Sequence, residues 1–187
     1  MARGDRRKHG FSYEETVAKR ANLKSVIALI SPLLESNGEL AIAVPAARKI
    51  WESAPGDPRS RRPLDAAPWN WLRDTARDAH ALGDYQAAAR IAVAVDVWQW
   101  MLDHNGDLAA ETGLVRPPPD VIADVFTLGL DCVSRLDSRF PLLVTQSAVY
   151  LVEDVAQRFA ASLLQLASRG YPIDPATYRF ALSIHRP

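Results

Sequence analysis

Residues 83–106 read GDYQAAARIAVAVDVWQWMLDHNG, and the fold class follows from this stretch. Asp84 is a helix cap, because its carboxylate can accept from the free N–H groups of the next turn. A helix from Tyr85 to His104 results. Between its first turn and its last residue the only polar side chains are Arg90, Asp96, Gln99 and Asp103. A helix apolar on nearly every face has to be surrounded by other elements. Asp96, Gln99 and Asp103 fall on one line at helical spacing, so they are expected to form a narrow wet stripe.

The preceding segment, WNWLRDTARDAHAL at 69–82, is a second helix, and Gly83-Asp84 turns the chain between the two. Leu72 is followed one turn later by the small Ala76. Gly83, Asp84 and Tyr85 form a Gly-x-Tyr turn. Ala88 and Ala92, then Val95, place small residues on the next helix. On these residues, segment 69–102 resembles a tetratricopeptide (TPR) unit, a helix–turn–helix of about 34 residues. Thr75 and Ala79 stand where that family carries larger apolar residues, and no proline closes the unit. The remainder of the chain offers no clean second copy. The resemblance implies one TPR-like hairpin inside an irregular helical domain, and a protein-binding role.

The 187 residues suit a single domain, and at that size about 70% of the unfolded surface can be buried without a covalent staple. With 48% hydrophobic and 24% charged residues, the composition is that of an ordinary globular domain. Its Ala, Arg and Pro content fits a high-GC bacterial genome. The lone Cys132 excludes an intrachain disulfide, which favours a reducing, cytoplasmic setting. MARGDRRKHGFSYEE has a basic start but no apolar run after it, so no secretory signal is expected. The most apolar segments are interrupted by Arg90 and Asp96, or by Glu153, Asp154 and Arg158, so no membrane span is expected.

Outward from the central hairpin, the expected organisation is a basic tail (1–10) and one all-α domain (11–187) of six or seven helices. Ser12-Tyr-Glu-Glu15 is a capping box that starts a helix at Tyr13. Pro32 kinks or ends that helix, and Asn37-Gly38 closes it. ELAIAV at 39–44 alternates like a short strand, but without a partner strand it reads as helix, bent at Pro45. Helices thus fill 12–54. PGDPRSRRPLDAAP at 55–68 is a Pro/Arg linker. Residues 105–119 form a connector with one helical turn, ending in three prolines. A helix runs from Asp120 to Leu136, where Gly129 marks a close helix contact. Residues 140–169 read as the longest helix, with Val144, Ala148, Leu151, Val155, Phe159, Leu163 and Leu166 on one stripe. A short helix from Pro175 to Ser183, capped by Asp174, completes the C-terminal part, 120–185. There Tyr178, Phe180 and Leu182 are expected to dock on the body, the alternative being an exposed Tyr171 or Phe180 in a partner surface.

No catalytic residue is assigned. His80 and His104 sit at opposite ends of antiparallel helices, and no His or Cys spacing suits a metal. No cofactor motif is present. Cys132 lies in an apolar helix and reads as an inert thiol. The tryptophans carry more information. Trp69 and Trp71 open one hairpin helix, and Trp98 and Trp100 lie near the end of the other, so the four gather at one end. Residues two apart on a helix point about 200° apart, so one of each pair must face a second layer or the surface. These four are the candidate partner-binding residues, against the simpler reading as two core layers.

Net charge is zero but uneven. Residues 1–62 hold 12 Lys/Arg and 7 Asp/Glu, whereas 63–187 hold 10 and 15. Either the basic third meets an acidic partner, or the two parts attract each other. Arg3, Arg6, Arg7 and Lys8 in the tail, and Arg59, Arg61 and Arg62 in the linker, are the candidate anion or nucleic-acid contacts. The expected function is a non-catalytic protein-interaction module whose partner is another protein or a second copy. The alternatives are a nucleic-acid-associated regulator, and an enzyme or small-ligand binder with a pocket around Asp96 or Arg90.

Overall fold

The structure, a computed structural model, describes residues 10–57, 59 and 66–187. Among these the chain is all-α apart from one small hairpin. The elements are α1 (Tyr13–Glu35), α2 (Leu40–Ser53), α3 (Ala67–Ala81), α4 (Tyr85–His104), the one-turn α5 (Leu108–Thr112), α6 (Pro119–Ser134), β1 (Pro141–Val144), β2 (Val149–Leu151), α7 (Val152–Ser168) and α8 (Pro175–Ile184).

The local signals act as their chemistry predicts. The capping box at Ser12 and Glu15 forms in both directions. Asp84 accepts from the Ala87 N–H at the start of α4, and Asp174 accepts from Ala176 and Thr177 at the start of α8. The ELAIAV stretch is helical from Leu40, and α2 continues through Pro45 to Ser53. In α1 the helix likewise passes through Pro32 and ends at Glu35. Asn37 (φ 49°) and Gly38 (φ 84°) then take the left-handed conformation that turns the chain into α2.

The centre of the fold is α4. It packs against α1, α3, α5, α6, α7 and β1. Residues from Ala87 through Trp98, Arg90 excepted, are buried on every side of the helix. The many alanines (87, 88, 89, 92 and 94) bring its neighbours' axes close. On one side, Gly129 of α6 meets α4 and α7 together. A Cβ at position 129 would lie 2.7 Å from the Phe159 ring and 3.2 Å from Ala92 Cβ. Phe159 is pressed there because its ring also stacks on Phe126, with centroids 5.1 Å apart.

Residues 140–151 depart from the sequence expectation. They are not the first turns of a long helix but an antiparallel hairpin, with Leu143 opposite Tyr150 and Val144 opposite Val149. The stripe at 144, 148 and 151 is an accident of spacing. The deciding local chemistry is Thr145. Its hydroxyl accepts from Ser147 N (3.3 Å) and Ala148 N (2.9 Å), while the Thr145 N–H donates to Ala148 O (2.8 Å). A hydroxyl that binds forward along its own backbone competes with a helix and makes a turn. The flanking Leu142, Leu143, Val144, Val149 and Tyr150 are suited to strands. The helical stripe proper begins at Val152 and holds Val155, Phe159, Leu163 and Leu166.

In α8 the docking residue is Ala181, which is fully buried, while Tyr178, Phe180 and Leu182 are exposed. Gln157 of α7 holds the end of α8 by donating to Ile184 O (2.6 Å) and accepting from Arg186 N (2.9 Å).

Replacing Gly129 by Ala tests the α4–α6–α7 contact. The substitution gains about 1 kcal/mol of helix propensity. It also drives a methyl group into a ring that cannot retreat, and overpacking costs about 1–3 kcal/mol. The expected net is a destabilisation of about 1 kcal/mol, read as a lower urea midpoint at unchanged slope. A variant more stable than the parent would show that the contact is loose.

Candidate functional site

The four hairpin tryptophans do gather at one end, and they divide as the 200° argument requires. Trp69 and Trp98 are fully buried. Their indole N–H groups donate to neighbouring carbonyls of one strap, Val115 O (2.7 Å) and Leu114 O (3.0 Å). They lock residues 114–115 over the end of the hairpin and present no surface to a partner. Burial thus removes Trp69 and Trp98 from the partner-binding set. Trp71 is half-buried. Trp100 is 47% exposed, the largest exposed aromatic surface on the hairpin.

Trp100 sits on the α1–α2 turn. A Cβ at Gly38 would be 3.1 Å from its ring, so the close seat depends on glycine there. On its other side lies the His104 ring, with centroids 4.2 Å apart. His104 Nδ1 donates to Trp100 O (2.7 Å). Beside Trp100 opens a cavity of about 340 Å³ lined by Leu34, Asn37, Val97, Tyr150 and Arg158. The Tyr150 hydroxyl donates to Asn37 Oδ1 (3.2 Å), which ties the β-hairpin to the α1–α2 turn. Past Asn37 the surface continues into a groove of about 560 Å³ lined by Pro32, Glu35, Glu39, Ile42, Val144 and Thr145. Ile42 is 42% exposed, Val144 63% and Val149 56%. Three separate elements therefore present apolar side chains on one face. Glu35 and Glu39 stand at its rim with no ion pair to any described residue.

Asp96 is not part of a wet stripe. It is only 9% exposed, and its Oδ2 lies 2.6 Å from Arg158 Nε of α7. Burial pushes its carboxyl above the ordinary range, and the Arg158 charge opposes that shift. Asp103 is exposed and pairs with Arg116, and Gln99 is half-buried. The stripe thus holds only at the end of the helix. Sequence spacing could not reveal Arg158 as the partner, because the pair forms only once α7 is folded back on α4.

A second polar cluster joins α3 to α6. His80 Nε2 is 2.6 Å from Asp131 Oδ2, which also accepts from Arg135 Nε (3.1 Å). The hydrogen bond from His80, then Arg135, holds the Asp131 carboxyl below the usual range. Tyr85 meets the His80 ring edge-on at 5.5 Å, and Arg135 lies over the Tyr85 ring. The adjoining groove of about 420 Å³ also contains Arg77, bound to Asp124 (2.7 Å). Arg77, His80, Asp124 and Asp131 are all paired, and Asp174 at its edge is engaged as the cap of α8. The cluster ties α3 to α6. Cys132 is buried, and burial pushes its thiol up to about 12, so it carries no thiolate near neutrality.

Among the described residues no group of His, Cys, Asp and Glu could hold a metal ion, and no helix is long and apolar enough to cross a membrane. Of the proposed anion contacts, Arg59 is exposed. Arg3, Arg6, Arg7, Lys8, Arg61 and Arg62 lie outside the described residues. No protein-family model matches the chain, and neither a curated protein nor a solved structure matches it significantly.

The Asp96–Arg158 pair predicts an asymmetric response. Arg158→Leu leaves a nearly buried carboxylate without its partner, a loss of about 2–4 kcal/mol near neutral pH. Asp96→Asn leaves a guanidinium that still reaches water, a loss below about 1 kcal/mol. Because the folded-state pKa of Asp96 is raised, its stabilising contribution is full below the ordinary carboxylate range. It falls away as pH rises through the folded value. The Arg158→Leu protein should accordingly recover stability on acidification more than the parent does. Equal losses for the two variants, independent of pH, would refute the pairing.

Proposed function

We propose that the chain is a non-catalytic helical protein-interaction module. Its binding face is the surface around Asn37 formed by Ile42, Trp100 and Val144, with Val149 paired beside Val144. The single observation that carries this reading is their convergence. Exposed apolar side chains of α2, α4 and the β-hairpin meet around Asn37, next to a cavity and a groove. Contiguous apolar surface rimmed by polar groups marks interaction sites, and an exposed Trp beside a pocket is the residue type that anchors them. The resemblance of 69–102 to a TPR-like hairpin supports the same class, since such hairpins serve as binding scaffolds.

Charge selects the partner. Glu35 and Glu39 flank the groove and are unmatched among the described residues. A protein segment with apolar side chains and a Lys or Arg beside them satisfies both features. Electrostatic complementarity of this kind sets specificity and association rate. A second copy of the chain and an acidic or nucleic-acid partner are the competing occupants.

Photo-crosslinking from position 149 in the full chain, followed by mapping of the linked peptide, tests the assignment. The expected product is one partner protein linked through an apolar segment that carries Lys or Arg. Val144→Asp combined with Val149→Asp should reduce that product by about tenfold or more, equivalent to losing about 1.4 kcal/mol of binding. Both sites are more than half exposed, so folding is retained. Crosslinks that persist in this double variant, or that fall on the exposed α8 residues Tyr178 and Phe180 of a second copy, would overturn the reading.

A further inference from the structure

A cavity that the protein-binding face does not use lies between α1 and the α3–α4 turn. Its volume is about 610 Å³, within the range of small-ligand sites. Three cations line it: Arg20 and Lys24 of α1 and Arg90 of α4. Its single acidic side chain is Asp84. Asp84 is already engaged, accepting from Ala87 N at 3.1 Å. The neighbouring acid Asp78 is taken by Lys19 at 2.7 Å. Three positive charges against one negative leave a net of two.

We propose that this cavity binds a small phosphate-bearing ligand of nucleotide size. The site stands apart from the protein-binding face, with which it shares no lining residue. Arg20 and Lys24 make no ion pair or hydrogen bond with any described residue. They are four apart on one helix face, an arrangement of like charges that is unfavourable until an anion lies between them. Arg90 is the one cation in the apolar span of α4. Its Nε donates to Leu142 O (3.1 Å), which fixes the guanidinium while its two terminal nitrogens have no protein partner among the described residues. A held guanidinium fork and a mobile ammonium are the groups that bind phosphate best. A single carboxylate neutralises only half of the excess, whereas a phosphate dianion or polyphosphate matches it. Leu23, Ile27 and Leu82 supply an apolar wall for the organic part of the ligand.

Isothermal titration of the full chain with pyrophosphate, then with adenosine triphosphate, tests the site. Saturable one-to-one binding that weakens with added salt is expected for both. Arg20→Gln with Lys24→Gln should weaken it by about tenfold or more, with thermal stability unchanged or raised. Arg90→Lys keeps the charge but loses the fork, and should weaken binding by a smaller factor. The Val144→Asp, Val149→Asp double variant should bind as the parent does, which separates this site from the partner face. Absence of saturable binding to either probe would overturn the proposal. So would affinity unaffected by the Arg20 and Lys24 substitutions, or binding of a short single-stranded RNA alone.

Discussion

Every other element is arranged by the need to keep α4 out of water. A twenty-residue helix that is apolar on nearly every face through its middle three turns cannot sit at the edge of a domain. It requires neighbours on each side, and the chain provides α1, α3, α6, α7 and the β-hairpin. The alanines of α4 and Gly129 of α6 set how close these neighbours come. The two polar side chains that α4 carries through its apolar span, Arg90 and Asp96, are each answered by a group from the last third of the chain. Arg90 finds the Leu142 carbonyl and Asp96 finds Arg158. The helix thereby fixes where the hairpin and α7 must lie, and both surfaces proposed as binding sites open beside those answers.

Elements whose evidence is local are readable from sequence. Caps at Ser12, Asp84 and Asp174, the turn at Gly83 and the stop at Asn37-Gly38 depend on side-chain and backbone chemistry within a few residues. Gly129 was also legible, since a glycine within an apolar helix needs a packing reason. The hairpin at 140–151 was hidden because its apolar residues imitate a helical stripe that runs on into α7. The hydroxyl of Thr145 was the available signal. It signals a turn only when weighed against the stripe, and the stripe is longer. Here local backbone competition outweighs periodicity.

The site was partly legible for a related reason. Periodicity states that Trp98 and Trp100 point apart, but not which of them meets the core. That choice is made by the strap at Leu114 and Val115, whose carbonyls need donors and find the indoles of Trp69 and Trp98. Trp100 is left outward as a consequence. Asp96 shows the converse. Its spacing with Gln99 and Asp103 suggested water, because its true partner is distant in the chain and visible only in three dimensions.

The charge asymmetry of the sequence is resolved in the same way. Lys19–Asp78 and Arg48–Glu111 connect the basic first third to the acidic remainder. Part of the imbalance is therefore internal attraction between segments, each pair exposed enough to contribute little on its own. The rest is not consumed. Arg20 and Lys24 face a cavity in which the acids are already engaged, and Glu35 and Glu39 face a groove that holds no cation. Arg20 and Lys24 lie in the N-terminal half and middle of α1, whereas Glu35 ends that helix and Glu39 caps the start of α2. Charges that a fold leaves unmatched beside concave surfaces are the ones available to bind something else, and here α1 offers cations to one cavity and, with the turn that follows it, carboxylates to another.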